Sequence, residues 1–421
     1  MRLSLTWLQS PLFFILLLIF NTTNHLEAAE ESLGTVSITA EKTPLENEPV
    51  CVELPETGLT AEQVYLVESA DADKTAIPAQ IEKRKQSADL LWWIPPGETP
   101  AGKTRVFQIK AGTASPQQKL TIKDTDKAYQ FMIGDHPVLS YNYKHINPPE
   151  SLDPLYGRSA HIHPIWTPAG KIVSDEFPPD HAHQSGQFLA FTKAVFEGRP
   201  TNFWEIKSQK GRVRFKNLVY KQTGPVYAEL IVTQEHVDLT GESETPALLE
   251  TWFIRVWNQP AKDPEFWMYD ITSDLRCATE SPLKLPEYHY GGMAIRGGRG
   301  WTRENCEFLT ANGKTRANGN HDRARWCDIS GRTETGVPWS GFTILTHPDN
   351  FRFPEPVRIH PSMPYLVFTP CPLGDWEIDP KEPLISHYRC LVHDGPALAR
   401  TDTLWQHYAN PTKANIKLTA P

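Results

Sequence analysis

Short runs in which apolar and polar positions alternate recur along this chain, most clearly over 227–232 and 250–256. Side chains of an extended backbone project to opposite faces with period two, so such runs read as half-buried strands. Few stretches carry an i, i+3, i+4, i+7 apolar stripe free of proline or glycine, and helix is a minor expectation. Strands are predicted over 36–40, 50–54, 63–68, 76–82, 90–95, 105–110 and 119–122. Turn signals such as Pro55-Glu56-Thr57-Gly58 separate them. Seven short strands in ninety residues suit a small immunoglobulin-like sandwich over 30–125. Trp92 and Trp93 are adjacent, so one faces that core and the other faces away, toward a neighbouring domain.

A second series is predicted over 129–133, 137–143, 188–196, 211–219, 226–236, 248–257, 266–273, 293–296, 341–346 and 386–392. It makes 126–421 a large antiparallel β-sandwich and the whole protein all-β. Fourteen of the 15 histidines and 10 of the 13 tryptophans lie in 128–421, so the chemistry is expected in this second region. The first region reads as a structural support or, second to that, a carbohydrate-facing accessory module.

Composition narrows the function classes. A net charge of -8 leaves no basic surface for a nucleic-acid backbone. Arg2, the apolar run 11–20 and the small residues Ala28 and Ala29 read as a signal peptide over 1–29, implying export to the periplasm or medium. No later stretch is apolar enough to span a membrane. Six cysteines without C-x-x-C spacing take a structural role or none, and their pairing is open. There is no G-x-S-x-G elbow, Walker loop or dinucleotide-binding glycine motif, and no cofactor is expected.

The densest polar cluster is Phe177-Pro-Pro-Asp-His-Ala-His-Gln-Ser-Gly186. Two prolines stiffen its start, and Gly186 releases the backbone at its end. If the segment is extended, His181 and His183 share a face, as do His161 and His163 in the preceding His-Ile-His-Pro. Histidine titrates near neutrality, so such pairs suit proton transfer or, as neutral rings, metal ligation, and Asp175, Glu176 and Asp180 are the carboxylates nearby. Glu205 follows Phe203 and Trp204, where desolvation would fit it as an acid or base, while a strand-end glutamate exposed to water is the plainer reading. Trp204 offers a flat face for a sugar ring. Arg158 precedes the first histidine pair, and Arg296 follows Glu287-Tyr288-His289-Tyr290-Gly291-Gly292, where its planar fork could clamp a substrate group or form a structural ion pair.

Together Arg158, His163-Pro164, Asp180-His181-Ala182-His183, Phe203-Trp204-Glu205, the run Gly291 to Arg296, Trp326, His347-Pro348-Asp349-Asn350 and His393-Asp394-Gly395 resemble the PmoA-like family of exported bacterial proteins, a domain of unknown function. That family's methane-oxygenase label sits badly with a chain lacking spanning helices. Its members resemble proteins that accompany sugar oxidoreductases and glycan-degrading systems, which implies a carbohydrate role by association. The family's Asp-His-x-His element commonly continues with a third histidine, where this chain has Gln184. The large sandwich is expected to be similar to the galactose-mutarotase-like supersandwich. The expected function is an enzyme acting on a sugar or glycoside by proton transfer, with lyase, epimerase and hydrolase chemistry all open. Catalytic candidates are His163, His181, His183 and Glu205. Substrate contacts are Arg158, Trp204, His289, Arg296 and Trp326, and no metal is assigned. A noncatalytic carbohydrate-binding protein and a metal-dependent enzyme are the alternatives.

Overall fold

The structure is a computed structural model that describes residues 32–419, apart from 57, 58, 60, 262, 263, 334 and 335. The signal-peptide segment 1–29 lies outside the described residues. The chain is all-β, as the alternating pattern requires, and two large antiparallel sheets dominate it. Nine strands form one sheet in the order Asp322–Arg323, Pro356–Ile359, Tyr365–Phe368, Gly291–Arg296, Gln187–Phe191, His161–Ile165, His136–Asn142, Ala128–Ile133, Leu120–Asp124. Eight form the other, in the order Gly211–Thr223, Tyr227–Asp238, Thr245–Trp257, Phe266–Cys277, Leu384–Asp394, Ser340–Thr346, Trp326–Gly331, Cys306–Thr310.

One continuous core lies between these sheets, with Phe131, Tyr141, Ile162, Leu230, Trp252, Ile271 and Met293 fully buried in it. Polar side chains inside it are hydrogen-bonded across the gap. Tyr269 Oη donates to Gln187 Oε1 at 2.5 Å, and Tyr141 Oη to Gln234 Oε1 at 3.0 Å. Glu250, wholly buried, accepts from Gln234, Trp252 and Ser273 and is bonded to His236 at 2.8 Å. Burial alone would push the Glu250 carboxyl up. The hydrogen bond and charge of His236, with the Ser273 and Gln234 bonds, outweigh it and leave the carboxyl lowered. His236 and His393, which is bonded to Asp328 at 2.8 Å, are core histidines.

The N-terminal region has seven strands around its own core of Val36, Ile38, Leu66, Leu91, Trp93, Phe107 and Ile109. Strand Ala76–Glu82 pairs with Val64–Glu68 near its start and with Leu90–Trp93 near its end, so the sheet folds over that core. Two strands differ in placement from the sequence reading. Leu120–Asp124 pairs with Ala128–Ile133 at the edge of the nine-stranded sheet, and Ala414–Leu418 returns from the far end of the chain to pair with Ser32–Thr39. Hairpin proximity captured the first. An edge strand left open by the N-terminal sheet, with unpaired backbone groups, took the second. Trp93 is buried in the small core, while Trp92 packs 5.2 Å from Trp257 and 6.3 Å from Tyr227 of the large sandwich. The 9-residue helix Thr401–Ala409 had no counterpart in the sequence reading. All six cysteines are unpaired, and among the described residues no helix is long and apolar enough to cross a membrane.

Candidate functional site

Strand register decides which side chains meet. Ile162 pairs with Gln187, whose side chain reaches Tyr269 of the opposite sheet, so both face the inter-sheet core. Their neighbours His161, His163 and Phe188 therefore project from the outer face of the nine-stranded sheet. Gln187 pairs with Ile295, which places the next residue, Arg296, on that outer face, and Arg296 is paired with Tyr365. Four strands thus deliver two imidazoles, an aromatic ring, a guanidinium and a phenol to one surface. Asn142, opposite His161, donates to the His163 carbonyl at 2.6 Å and bonds the His161 ring at 3.2 Å.

The segment over this face is not extended. His181 N–H donates to the Pro178 carbonyl and Gln184 N–H to the His181 carbonyl, two successive turns, while Gly186 N–H closes the loop onto the Asp175 carbonyl. Gly186 has φ +54°, and a Cβ there would meet the Ile162 carbonyl oxygen at 2.0 Å, so glycine is required by backbone approach. The rings of His181 and His183 still lie together, 5.5 Å apart, because the turns stack them edge to face. His360 comes from a remote strand end to within 6.2 Å of His181. Its Nδ1 is taken by the backbone N–H groups of Ser362 and Met363. Among the described residues no three His, Cys, Asp or Glu side chains converge as metal ligands.

Arginines hold the loop down. Arg296 donates to both oxygens of Asp180 at 2.9 to 3.1 Å and to Gln184 Oε1 at 2.9 Å. Its fork is engaged by protein, which makes Arg296 a positioning residue where a substrate clamp was the other reading. Arg299 does the same for Asp175 and the Glu176 carbonyl. Glu176 is in turn in close contact with His161 Nε2. Burial favours its neutral form, but the hydrogen bond to His161, together with the positive charge of Arg158, prevails and holds it below the usual carboxylate range.

The histidines divide by environment. Burial pulls His163 down to about 4, only partly offset by the Glu176 charge, and its Nδ1 is bonded to Ser174 Oγ at 2.9 Å. His183 is also pulled down to about 4, first by burial and then by the positive charges of His181, Arg158 and Arg296. Both are neutral rings at neutral pH and can accept a proton. His181 is more open, its side chain 40% exposed. Arg158 is 2% exposed, with its guanidinium carbon 4.6 Å from the centre of the Phe188 ring.

Other sequence candidates fall differently. Trp204 is 1% exposed and packs on Phe188, Tyr290 and Tyr365, so its ring is wall and floor and offers no free face for sugar stacking. Glu205 is exposed beside it, as the plainer reading had it, because its backbone is turned outward by the bond of its N–H to Asn202 Oδ1. His289 is exposed on the rim, stacked with Tyr288 and Tyr290. Trp326 is elsewhere, donating to Asp402 at 2.6 Å and anchoring the C-terminal helix. His145 is exposed. Sequence reasoning gave no role to His360 or Tyr365 and read Glu176 only as a nearby carboxylate. His360 precedes a proline, as His163 does, but nothing local placed it near His181.

The fold and this face define a two-sheet antiparallel sandwich protein with a polar, histidine-rich cluster on one outer surface. Residues 128–406, which carry every member of that cluster, match the family of unknown function DUF6807, and the chain belongs to it. No curated protein matches the chain.

Proposed function

We propose that the outer face of the nine-stranded sheet is an acid/base site of an exported enzyme that acts on a sugar or glycoside. The observation that carries this reading is that one face holds two neutral imidazoles, His163 beside the ionised Glu176 and His183 beside His181, with Arg158 within electrostatic reach of both Glu176 and His183. Neutral imidazole accepts a proton from a hydroxyl or carbon acid and returns it in a later step. Glu176, bonded to His161, takes the carboxylate role that proximity to Trp204 suggested for Glu205. The rim of Tyr288, His289 and Tyr290, with rings 4.1 to 5.3 Å apart, supplies aromatic surface of the kind that holds a sugar ring. Export follows from the apolar run 11–20, and the choice of sugar chemistry follows from the PmoA-like resemblance of the motifs on this face.

A library of mono- and oligosaccharides followed by NMR product analysis tests the reading. The substrate it identifies is then given to His183→Gln and His163→Gln. Glutamine keeps polarity but takes up no proton near neutrality, so turnover should fall about 10²- to 10⁴-fold with substrate affinity largely kept. Folded variants that turn over at the wild-type rate would remove both histidines from the chemistry. Loss of turnover together with one tightly bound transition metal per wild-type chain would replace proton transfer by metal-dependent catalysis.

A further inference from the structure

Three arginines are buried among the described residues, and one of them has no hydrogen-bond partner on its guanidinium. Arg389 is bonded to Asp270 and Glu48, and Arg296 to Asp180 and Gln184. Arg158 has no hydrogen-bond partner on Nε, Nη1 or Nη2, although all three atoms are shielded from solvent. Glu176 is within electrostatic reach but is engaged by His161. A buried guanidinium with five unanswered N–H groups is among the most unfavourable arrangements a fold can keep, and such groups are normally answered.

We infer that Arg158 is the carboxylate-binding subsite of this face, and that the substrate is a sugar acid. The inference rests on reading the face as a sugar site; what it adds is the negative charge. A guanidinium fork matches a carboxylate with two parallel hydrogen bonds, and the fork is held over the Phe188 ring. A monoanion fits better than a phosphate. Arg296 and Arg299 are committed to Asp180 and Asp175, His163 and His183 are neutral, and Glu176 is the carboxylate within reach of Arg158, so at Arg158 a dianion would meet a single guanidinium and a repulsive carboxylate. The Tyr365 hydroxyl, also buried on this face without a partner, is placed to meet a ring hydroxyl. The loop 175–186 covers the subsite, and the Arg296–Asp180 clamp is what a ligand must displace or slip beneath.

The full chain is titrated calorimetrically with glucuronate, galacturonate and gluconate, and with glucose and galactose as neutral counterparts. At least one acid should bind, with its neutral counterpart at least tenfold weaker. Arg158→Met should lose that acid by about 10- to 150-fold, the usual loss for a charged hydrogen bond, while melting no earlier than wild type. Arg158→Lys, which keeps the charge and loses the fork, should fall between the two and carries the test if the methionine variant does not fold. Calorimetry reads binding without turnover, so failure of the catalytic reading leaves this one standing. Binding of none of the acids, equal binding of acid and neutral sugar, or unchanged acid affinity in the Arg158 variants would each overturn it.

Discussion

The two large sheets both carry charge on their outer faces and treat it in opposite ways. On the eight-stranded sheet Glu229, Arg255, Asp270 and Arg389 stand directly opposite one another across four strands, an alternating ladder in register. Each charge there meets its neighbour: Arg255 donates to Glu229 at 2.6 Å, and Arg389 to Asp270 at 2.7 Å. Arg255 also lies 4.0 Å over the Tyr227 ring, beside Trp92 and Trp257. On the nine-stranded sheet Arg158, Tyr365 and His161 Nδ1 are buried without partners. The cleft over the ladder is the larger, about 580 Å³ against about 320 Å³ beside the Arg296–Asp180 clamp. Volume therefore does not single out the site. Compensation does, because a surface whose charges are mutually satisfied asks nothing of a ligand, whereas unanswered buried donors do.

The largest contrast is expected from paired substitutions. Arg389→Met leaves Asp270 and the buried Glu48 without their cation and should lower stability by about 3–5 kcal/mol in a denaturant titration. Arg158→Met removes a buried charge without hydrogen-bond partners and should leave stability unchanged or raise it by about 1–4 kcal/mol. If both variants destabilise alike, the two faces do not differ in the way described.

Acid and base should act on the two faces with opposite sign. His163 and His183 are held near 4 in the fold against 6.5 unfolded, so their contribution is complete above pH 6.5 and is lost as pH falls toward 4, up to about 3 kcal/mol per ring. Glu48, beside the ladder, is raised to about 7 by burial against the pull of Arg389 and Arg400. Its contribution is complete below pH 4.5 and is lost as pH rises through 7. Melting curves across pH 4 to 8 should show His183→Gln flattening the acid limb alone and Glu48→Gln the neutral limb alone. The reverse pattern would misassign both.

Smaller effects come from the loop clamp. Asp180→Ala removes the partner of Arg296, but Asp180 is 43% exposed, so the loss of stability should be only about 1 kcal/mol. Catalysis should suffer more than stability, since the loop that carries His181 and His183 loses its anchor. The least effect is expected at Glu205, where Glu205→Gln should shift stability by less than about 0.5 kcal/mol and leave turnover intact. A turnover loss at Glu205 matching that of His183 would return the carboxylate role to it.

Much of the scaffold was legible in the chain. Alternation over 227–232 and 250–256 marked two long paired strands, and Ala76–Glu82 has the ends expected of it, because half-buried strands must alternate to have one face in a core. Tyr365–Phe368 and Trp326–Gly331, buried on both faces and without alternation, were missed, although Ser340–Thr346, buried likewise, was expected over 341–346. In the site, the histidine-rich segments were visible by density alone. Their chemistry was not, since Glu205 and Glu176 are both ordinary carboxylates in sequence and only burial tells them apart.

What the amino-acid order determined by itself is local: strand periodicity, the turn at Gly186, the adjacency of His181 and His183, and a second region that holds nearly all the histidines. Those properties depend on side chains within a few residues of one another. Tertiary structure decided the rest. It moved Ala414–Leu418 into the first sheet, set Arg296 opposite Tyr365, brought His360 to His181, and left Arg158 over Phe188 with no acceptor. Each of these depends on strand register between segments far apart in the chain, and register is chosen by the whole core at once.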